Sequence, residues 1–373
     1  MKRNKVINIL IFAGLLFTCL YMVFAGKKLK KELQLTPCWT VDFTKDLSSL
    51  QKDKSGVFQL ISSEKSDEKQ IPFKLSQNSG YFTPSGKVTS FQTFSFMASI
   101  SSDYWSIFYP DSKTQTIYKN DGQIQCKIPC PGFPYIDKNK IFVFSPGGCG
   151  ISAFNEAGQE LWSYESYLPI TAFKASSSSC VAGLADGTLL YYVHENEKPL
   201  KITPGGSDYN VILGADVSEN GNYIACLSGI EKQRFILIKI SDGQSKVVFH
   251  NYLEGYLTEQ TFVEFSKDKT DEETIVYFQY EKGLGVYSMK TNIIKTVPVK
   301  GKVLSVSEVN EKNIVFVLVR TDDNHFSINM IDENFVNTGS ITFPAKNAFM
   351  LTDDGSLYIG KDTSISRFDL KIK

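Results

Sequence analysis

The fold is decided by two stretches near the middle of the chain, ISAFNEAGQELW at residues 151–162 and GLADGTLLY at residues 183–191. Each stretch places apolar residues on both sides of a turn dipeptide, Ala157-Gly158 in the first and Asp186-Gly187 in the second. Asp-Gly dipeptides tolerate the positive φ angles that two-residue hairpin turns require. The two stretches therefore predict short antiparallel strands joined by tight turns.

The same alternation of apolar runs and Gly-, Asn- or Asp-centred turns continues along most of the chain. Continuous apolar runs are typical of strands that are buried on both faces. Examples are the runs at 141–144, 235–238, 275–278 and 314–319. A parallel sheet would need crossover helices between its strands, but tight turns connect these runs. The pattern therefore favours small antiparallel sheets that stack face to face around an axis.

A repeat of about 42 residues supports this interpretation, since that length accommodates the four strands of one propeller blade. Seven units begin near Phe94, Phe133, Ile170, Val211, Thr261, Val303 and Asn347. The prediction is an all-β, seven-bladed β-propeller, with eight blades as the alternative.

The last unit is short by at least one strand, and the segment before Phe94 contains a strand pair, Gly80–Phe82 and Val88–Phe91. We expect these N-terminal strands to pair with the last blade and close the ring, because closure removes exposed sheet edges. The predicted domains are a basic N-terminus and anchor at 1–31, a linker at 32–40 and the propeller at 41–373. The polar stretch Gln51–Gln70 is predicted to be a solvated loop.

The N-terminus contains 21 uncharged residues, 6–26, between two basic segments. A helix of that length would cross a hydrocarbon core of roughly 30 Å, so one transmembrane helix is predicted before the propeller. A cleaved secretory signal and a lipoprotein signal ending at Cys19 are the alternatives. The short basic start ahead of the apolar segment places the propeller on the periplasmic side of the cytoplasmic membrane.

The stretch at 151–162 resembles the repeat of bacterial PQQ-type propellers, in which a Gly precedes a Leu-Trp pair. The stretch at 183–191 resembles the next strand of that repeat. Ser218–Ala225 is similar to a turn of WD-repeat-like propellers. The resemblance implies a propeller architecture, which hosts many functions. The calcium ligands and the cofactor-stacking residues of PQQ-dependent dehydrogenases have no match here, so no cofactor is expected.

Sugar-lactonase-like propellers hold a metal between acidic and Asn side chains in the central channel. By that resemblance Asp216, Glu264 and Glu308 are channel candidates, because each lies near the start of a unit. A solvated channel lining is the favoured interpretation of all three. The sequence contains no catalytic motif that identifies a nucleophile or a phosphate loop. We predict no catalytic and no metal-binding residues. The three histidines, His194, His250 and His325, are predicted to be on surface loops.

The cysteines do not form an obvious disulfide framework, because the five in the propeller region are an odd number. Cys126 and Cys130 are the one pair close enough in sequence to form a bridge. Cys180 and Cys226 lie in apolar runs and are predicted to be buried.

The charge distribution excludes one class of partner. All 40 acidic residues lie after residue 31, while residues 1–31 contain seven of the 40 basic ones. An acidic body offers no face that would neutralise phosphates, so nucleic acid is not expected. The sequence predicts a non-catalytic, membrane-tethered scaffold that binds other proteins of the bacterial envelope. The nearest analogue by resemblance is the propeller scaffold of outer-membrane protein assembly. The alternatives are a metal-dependent lactonase or hydrolase and a small-ligand sensor, each using the central channel.

Overall fold

The computed structural model describes residues 12–21, 33–46, 51–52, 58–61, 68–193, 198–267, 269–309 and 313–372. Residues Pro37–Phe368 form one compact unit, and Met1–Thr36 with Asp369–Lys373 form a second. The helices within the described ranges are α1 at residues 12–21, α2 at Phe43–Asp46 and a 3-10 helix at Asp271–Glu273. The remaining regular structure of these ranges is β-strand.

Eight antiparallel sheets form an eight-bladed β-propeller, and we number its blades 1 to 8 along the chain. Blade 1 consists of β2 (Gln51–Lys52), β3 (Phe58–Ile61), β4 (Ile71–Leu75), β5 (Asn78–Phe82) and β6 (Val88–Thr93). Blade 2 consists of β7 (Met97–Ile100), β8 (Tyr104–Phe108), β9 (Gln115–Lys119) and β10 (Ile124–Ile128). Blade 3 consists of β11 (Phe133–Asp137), β12 (Lys140–Phe144), β13 (Gly150–Phe154) and β14 (Glu160–Glu165). Blade 4 consists of β15 (Ile170–Ala175), β16 (Ser179–Leu184), β17 (Leu189–Val193) and β18 (Leu200–Ile202).

The second half of the ring has the same organisation. Blade 5 consists of β19 (Tyr209–Val217), β20 (Tyr223–Ile230), β21 (Arg234–Ser241) and β22 (Gln244–Tyr252). Blade 6 consists of β23 (Val263–Phe265), β24 (Ile275–Tyr280), β25 (Gly283–Ser288) and β26 (Ile293–Val297). Blade 7 consists of β27 (Lys302–Val309), β28 (Ile314–Asp322), β29 (His325–Ile331) and β30 (Asn337–Pro344). Blade 8 consists of β31 (Ala348–Asp353), β32 (Ser356–Lys361), β33 (Ser364–Ile372) and β1 (Leu33–Asp42).

The strands of blades 2 to 7 follow chain order from the innermost strand to the outermost one. The innermost strands are β4, β7, β11, β15, β19, β23, β27 and β31. Contacts join β4 to β7, β15 to β19, β19 to β23 and β27 to β31, and a contact between β31 and β4 completes the ring. The innermost strands therefore surround a central channel.

The core lies between neighbouring blades, where apolar side chains of both sheets interdigitate. Trp162 of blade 3 stacks on Tyr192 of blade 4 with 3.8 Å between the ring centroids, and Phe235 of blade 5 stacks on Phe278 of blade 6 at 4.3 Å. Aromatic pairs of this kind contribute about 1 kcal/mol beyond the area that they bury. The predicted burial of Cys180 and Cys226 agrees with their accessible fractions of 1% and 0%.

The predicted number of seven blades is wrong, and blade 1 is the reason. The strand pair before Phe94 does not complete the last blade, because β5 and β6 pair with β4 and β3 in a sheet of their own. The stretch Gln51–Gln70, expected as a loop, contains β2 and β3 of that sheet. The outermost strand of blade 8 is instead β1, so residues 33–40, expected as a linker, form most of this strand.

The predicted transmembrane helix has no counterpart in the described part of the chain. Helix α1 is described over residues 12–21, and no helix within the described ranges is long and apolar enough to cross a bilayer. Residues 6–11 and 22–26 of the predicted span lie outside the described residues.

Candidate functional site

The innermost strands define two different ends of the propeller. We call the end at which they begin the start face; it also carries the turns between the second and third strands and the ends of the outermost strands. We call the opposite end, where the innermost strands finish, the end face. Every blade presents the same parts of its meander to the same face, so side chains at equivalent strand positions form rings around the channel.

The end face opens into a cavity of about 730 Å³, which we call the channel cavity. Tyr135 and Asp137 of β11, Lys174 of β15, Asp216 of β19 and Glu264 of β23 line it. The last three residues are each the penultimate residue of their innermost strand. All three side chains line the channel cavity. Glu308 is also the penultimate residue of its innermost strand, β27, but it lines a different pocket, so this position alone does not direct a side chain into the cavity.

Asp216 is the most buried charged group of the channel cavity, with 7% of its surface accessible. Its Oδ1 accepts a hydrogen bond from the Val217 N–H at 2.8 Å, and its Oδ2 accepts one from the Phe265 N–H of the next blade at 2.7 Å. Burial raises the pKa of Asp216 to about 7, although Lys174 lowers it again in part. This carboxylate therefore joins blade 5 to blade 6 at the channel wall.

The Lys174 ammonium group supplies the positive charge at the centre of this cluster. Its Nζ lies 3.7 Å from Glu264 Oε2. Burial by itself would lower the pKa of Lys174, but the carboxylates of Glu264 and Asp216 raise it above its usual value. Lys174 is therefore charged at neutral pH and partly neutralises the surrounding acids.

The blade 3 side of the cavity carries an acid and a phenol. Burial raises the pKa of Asp137, and Lys174 opposes this effect. Burial also raises the pKa of Tyr135 to about 12, so its hydroxyl is neutral at physiological pH. The rim adds Lys138, which forms an ion pair with Glu219 at 2.8 Å, and Lys267, which lies 3.8 Å from Glu264 Oε1.

Some residues around the channel have a structural role. The Ile136 N–H donates to Ser99 Oγ of the preceding blade at 2.8 Å. Lys74 Nζ donates to the Ala98 carbonyl of blade 2 at 2.6 Å, and Thr352 Oγ1 donates to the Glu308 carbonyl at 2.9 Å. These contacts connect neighbouring blades, as the contact of Asp216 with Phe265 does.

Glu308 lies away from the channel cavity. It lines a separate pocket of about 120 Å³ between blades 6 and 7. Its Oε1 accepts hydrogen bonds from the Tyr277 hydroxyl at 2.5 Å and from Lys269 Nζ at 3.3 Å. Of the three channel candidates, the fold therefore brings Asp216 and Glu264 together and separates Glu308. The described residues contain no group of three His, Cys, Asp or Glu side chains that could hold a metal ion.

Exposed aromatic side chains occupy the start face. All six of the exposed aromatic residues in the described part of the propeller lie there: Phe96, Tyr109, Tyr167, Tyr209, Tyr252 and Tyr256. Tyr167 is fully exposed, at 104% of its reference surface, and Tyr209 is 60% exposed. The Tyr252 ring lies beneath the Arg234 guanidinium, with 5.5 Å between its centroid and Arg234 Cζ. These residues lie on blades 2 and 5 and on the loops that lead into blades 4 and 6.

Comparison with known proteins places this architecture in a family. A sequence model of a family described as beta-propeller protein matches residues 1–373. The chain belongs to this beta-propeller protein family. An uncharacterized protein of Treponema pallidum (strain Nichols) is 28% identical over 360 residues, which cover 95% of this chain and 92% of the relative.

Solved structures resemble this beta-propeller protein in fold alone. The crystal structure of BamB from Moraxella catarrhalis is 11% identical, covers 90% of this chain and 100% of its own, and has a TM-score of 0.57. Sqt1 of Saccharomyces cerevisiae is 9% identical, covers 82% of this chain and 94% of its own, and has a TM-score of 0.60. The computationally designed Ika8 protein is 14% identical, covers 86% and 95%, and has a TM-score of 0.55.

Sequence reasoning did not identify the aromatic surface or Lys174. A signal for the surface exists, since Phe96, Tyr167 and Tyr209 each stand at or just before the first residue of an innermost strand. Finding it requires the correct strand order, because an aromatic residue in a β-rich sequence is otherwise interpreted as core. Lys174 lies between apolar neighbours, and its role depends on acids that are more than 35 residues away in sequence.

The remaining candidates of this beta-propeller protein lie outside both sites. Cys126 and Cys130 are free thiols in the structure, and burial raises the pKa of each. Their bridge stays a prediction, which thiol titration with and without reductant tests. His250 and His325 are exposed as expected, but His250 lies within β22 and His325 begins β29, so neither is on a loop. His325 Nδ1 lies 3.0 Å from Asp322 Oδ1. His194 lies outside the described residues.

Proposed function

We propose that this beta-propeller protein is a non-catalytic platform that binds partner proteins on its start face. The observation that carries the proposal is the restriction of all six exposed aromatic residues in the described part of the propeller to that face. Tyr, Trp and Phe are enriched in protein interfaces, where their rings supply most of the binding energy.

The rigid ring supports this role physically. The blades are joined by buried aromatic stacks and by hydrogen bonds between neighbouring blades, so the loops of the start face project from a fixed frame. Binding residues on loops that a rigid scaffold positions lose less conformational entropy on association. The similarity to BamB is a likeness of fold and adds an analogy only.

We also propose a location on the periplasmic side of the cytoplasmic membrane, with other envelope proteins as partners. The uncharged residues 6–26 and the basic residues on both sides of them support this location. Protease treatment of spheroplasts tests it, because the propeller should be digested while a cytoplasmic marker survives. Complete protection of the propeller would contradict the location.

The platform itself is tested by affinity capture of the full chain from solubilised membranes. A variant carrying Phe96→Ser, Tyr167→Ser and Tyr209→Ser should lose at least about 90% of the captured partner, because aromatic contacts at an interface centre contribute most of the affinity. The control variant carries Ile124→Ser, Ile293→Ser and Ile341→Ser, which remove similarly exposed side chains from outside the start face. The control should capture the partner at the wild-type level.

Two results would contradict the platform. Equal loss in both triple variants would show that the start face has no special role. Stoichiometric calcium or zinc in the purified protein would instead favour the metal-dependent hydrolase that the lactonase resemblance implies.

A further inference from the structure

One face of the blade 1 sheet carries four buried polar side chains with atoms that lack a hydrogen-bond partner. Strands β5 and β6 place Ser79 opposite Gln92 and Tyr81 opposite Ser90. Because side chains alternate along a strand, all four lie on the same face of the sheet. None of them is more than 8% accessible. The atoms without a partner in the described part of the chain are Ser79 Oγ, the Tyr81 hydroxyl, Ser90 Oγ and Gln92 Oε1.

This polar face is directed toward blade 2. The opposite face of the sheet carries Phe82 and Phe91, which pack in one cluster with Tyr358 of blade 8. On the polar side, β5 contacts β7 of blade 2. Burial raises the pKa of Tyr81 above its usual value, and the Asp103 carboxylate of blade 2 adds to this effect. We call the contact between the polar face and blade 2 the polar boundary.

Blade 1 is held much more firmly on its other side, by blade 8. The Trp39 Nε1–H of β1 donates to the Pro84 carbonyl at 3.0 Å, and an Arg367 N–H of β33 donates to the same oxygen at 2.8 Å. Phe43, which follows β1, stacks on Phe73 with 4.9 Å between the ring centroids. Aromatic packing of this kind stabilises a boundary beyond the area that it buries.

The polar boundary lacks this balance, because a buried polar group without a partner has lost its hydration and gained no hydrogen bond in return. Contacts at this boundary lie where β7 begins, at the start face. Lys74 Nζ donates to the Ala98 carbonyl at 2.6 Å. The Phe94 N–H, in the connection from β6 to β7, donates to the Gln77 carbonyl at 2.8 Å. These contacts hold the two blades together at the start face, so separation of the blades begins at the end face.

We infer that the propeller is a split ring that opens at the polar boundary, with residues 94–96 as the hinge and blade 1 remaining attached to blade 8. Opening returns the four polar groups to water. It breaks no strand pairing, because blades 1 and 2 are separate sheets. Such a local opening requires less free energy than unfolding of the whole chain. The inference does not depend on the start face as a binding surface.

Thiol labelling of the full chain tests the opening. Ser79→Cys places a thiol of similar size in the polar boundary and leaves three of the four polar groups unchanged. Cys226, which is 0% accessible in blade 5, is the internal reference. N-Ethylmaleimide modification of each site is followed by peptide mass spectrometry and is expressed relative to the rate in urea-unfolded protein. The introduced thiol should react at least about 100-fold faster than Cys226, because labelling follows the population of the open form.

A second set of variants closes the boundary. Adding Tyr81→Phe and Ser90→Ala to Ser79→Cys removes two hydroxyl groups that the closed ring buries without a partner, so labelling of the introduced thiol should slow roughly tenfold or more. The control adds Tyr287→Phe instead, which removes a hydroxyl that is bonded to Asn292 Oδ1 at 2.7 Å in blade 6. This control should leave the labelling rate of the introduced thiol unchanged.

Equal relative rates at the introduced thiol and at Cys226 would overturn the inference, since bound water would then satisfy the polar groups of a closed boundary. An unchanged rate in the variant with Tyr81→Phe and Ser90→Ala would overturn it as well. Faster labelling of both thiols in the Tyr287→Phe control would show that labelling requires global unfolding. Ser90→Cys places a thiol on the same face and should give the same excess over Cys226, which keeps the test decisive if Ser79→Cys does not fold.

Discussion

In most proteins aromatic side chains are buried and charged side chains are exposed. The two faces of the ring depart from this pattern in opposite ways. On the start face, aromatic side chains such as Tyr167 and Tyr209 are exposed to water. At the end face, charged side chains such as Lys174 and Asp216 line the channel cavity, and Asp216 is buried there. Exposed aromatic surface loses hydrophobic stabilisation, and a buried charge loses hydration.

The two faces also differ in what offsets these losses of free energy. The buried charges of the end face are partly compensated within the chain, since Asp216 receives two backbone hydrogen bonds and Lys174 lies among three carboxyl groups. The aromatic rings of the start face receive no comparable compensation from burial, and under the proposed function a partner would provide it. Substitutions at the end face should therefore affect stability, while substitutions at the start face should affect binding.

The largest expected loss of stability comes from Asp216→Ala. This change leaves the Val217 and Phe265 N–H groups without their acceptor and removes one of the carboxyl groups around Lys174. We expect the free energy of unfolding to fall by about 3 kcal/mol. Urea denaturation followed by tryptophan fluorescence measures it.

The matched control for Asp216→Ala is Glu259→Ala. Glu259 is exposed, and Lys302 is its one ion-pair partner among the described residues, so its removal should change the free energy of unfolding by less than about 0.5 kcal/mol. Equal effects of the two substitutions would contradict the structural role of the buried carboxyl group.

A smaller loss is expected from Tyr277→Phe between blades 6 and 7. The change removes the hydroxyl that donates to Glu308 Oε1 at 2.5 Å and leaves Lys269 as the donor at 3.3 Å. Hydrogen bonds to charged groups contribute more than neutral ones, so we expect a loss of about 2 kcal/mol. The control Tyr280→Phe removes a neutral bond to Thr296 and should cost about 1 kcal/mol. An equal or larger loss in Tyr280→Phe would show that the charge of Glu308 does not strengthen its bond.

The pH dependence of stability tests whether Asp216 is protonated in the folded protein. Its pKa is about 7 in the folded state, against an ordinary value of 3.8. The folded state then binds the proton more tightly than the unfolded state, so stability falls as the pH rises from about 4 to about 7. The free energy of unfolding of the wild type, relative to that of Asp216→Asn, should therefore be lower at pH 8 than at pH 5.

The comparison of the wild type with Asp216→Asn isolates the effect of Asp216 titration on stability. The pKa of Asp137 is also raised by burial, but Asp137 is present in both proteins and its contribution cancels if the two sites are independent. A relative stability that is constant or rises between pH 5 and pH 8 would mean that Asp216 is already ionised at low pH.

The sequence predicted the architecture because strand and turn signals are local. Asp186-Gly187 and the apolar residues around it identify a hairpin without any knowledge of the remaining chain, and Gly187 has the expected positive φ of 85°. The number of blades could not be predicted from such local signals. Blade 1 takes its outer strands from the polar stretch Gln51–Gln70, and blade 8 takes its outermost strand from Leu33–Asp42, far away in sequence. Pairing at such distances depends on tertiary packing rather than on local propensity.

The candidate site was predictable only in part for the same reason. Asp216 and Glu264 could be placed near the channel by the lactonase resemblance, since each lies near the start of a repeat unit. Lys174 partly neutralises these two carboxyl groups because the ring places the innermost strands of different blades next to one another. Glu308 lies in a separate pocket because it contacts Tyr277 and Lys269. The spacing of residues in the sequence does not predict these contacts.

The smallest effect on stability is expected at the start face, and it tests the comparison most directly. The variant with Phe96→Ser, Tyr167→Ser and Tyr209→Ser removes three large rings, yet at 57%, 104% and 60% exposure they bury little apolar surface. Each change should shift the free energy of unfolding by no more than about 0.5 kcal/mol. Partner capture should nevertheless be lost. A large destabilisation would show that these rings stabilise the propeller itself, and the start face would then no longer differ from the end face.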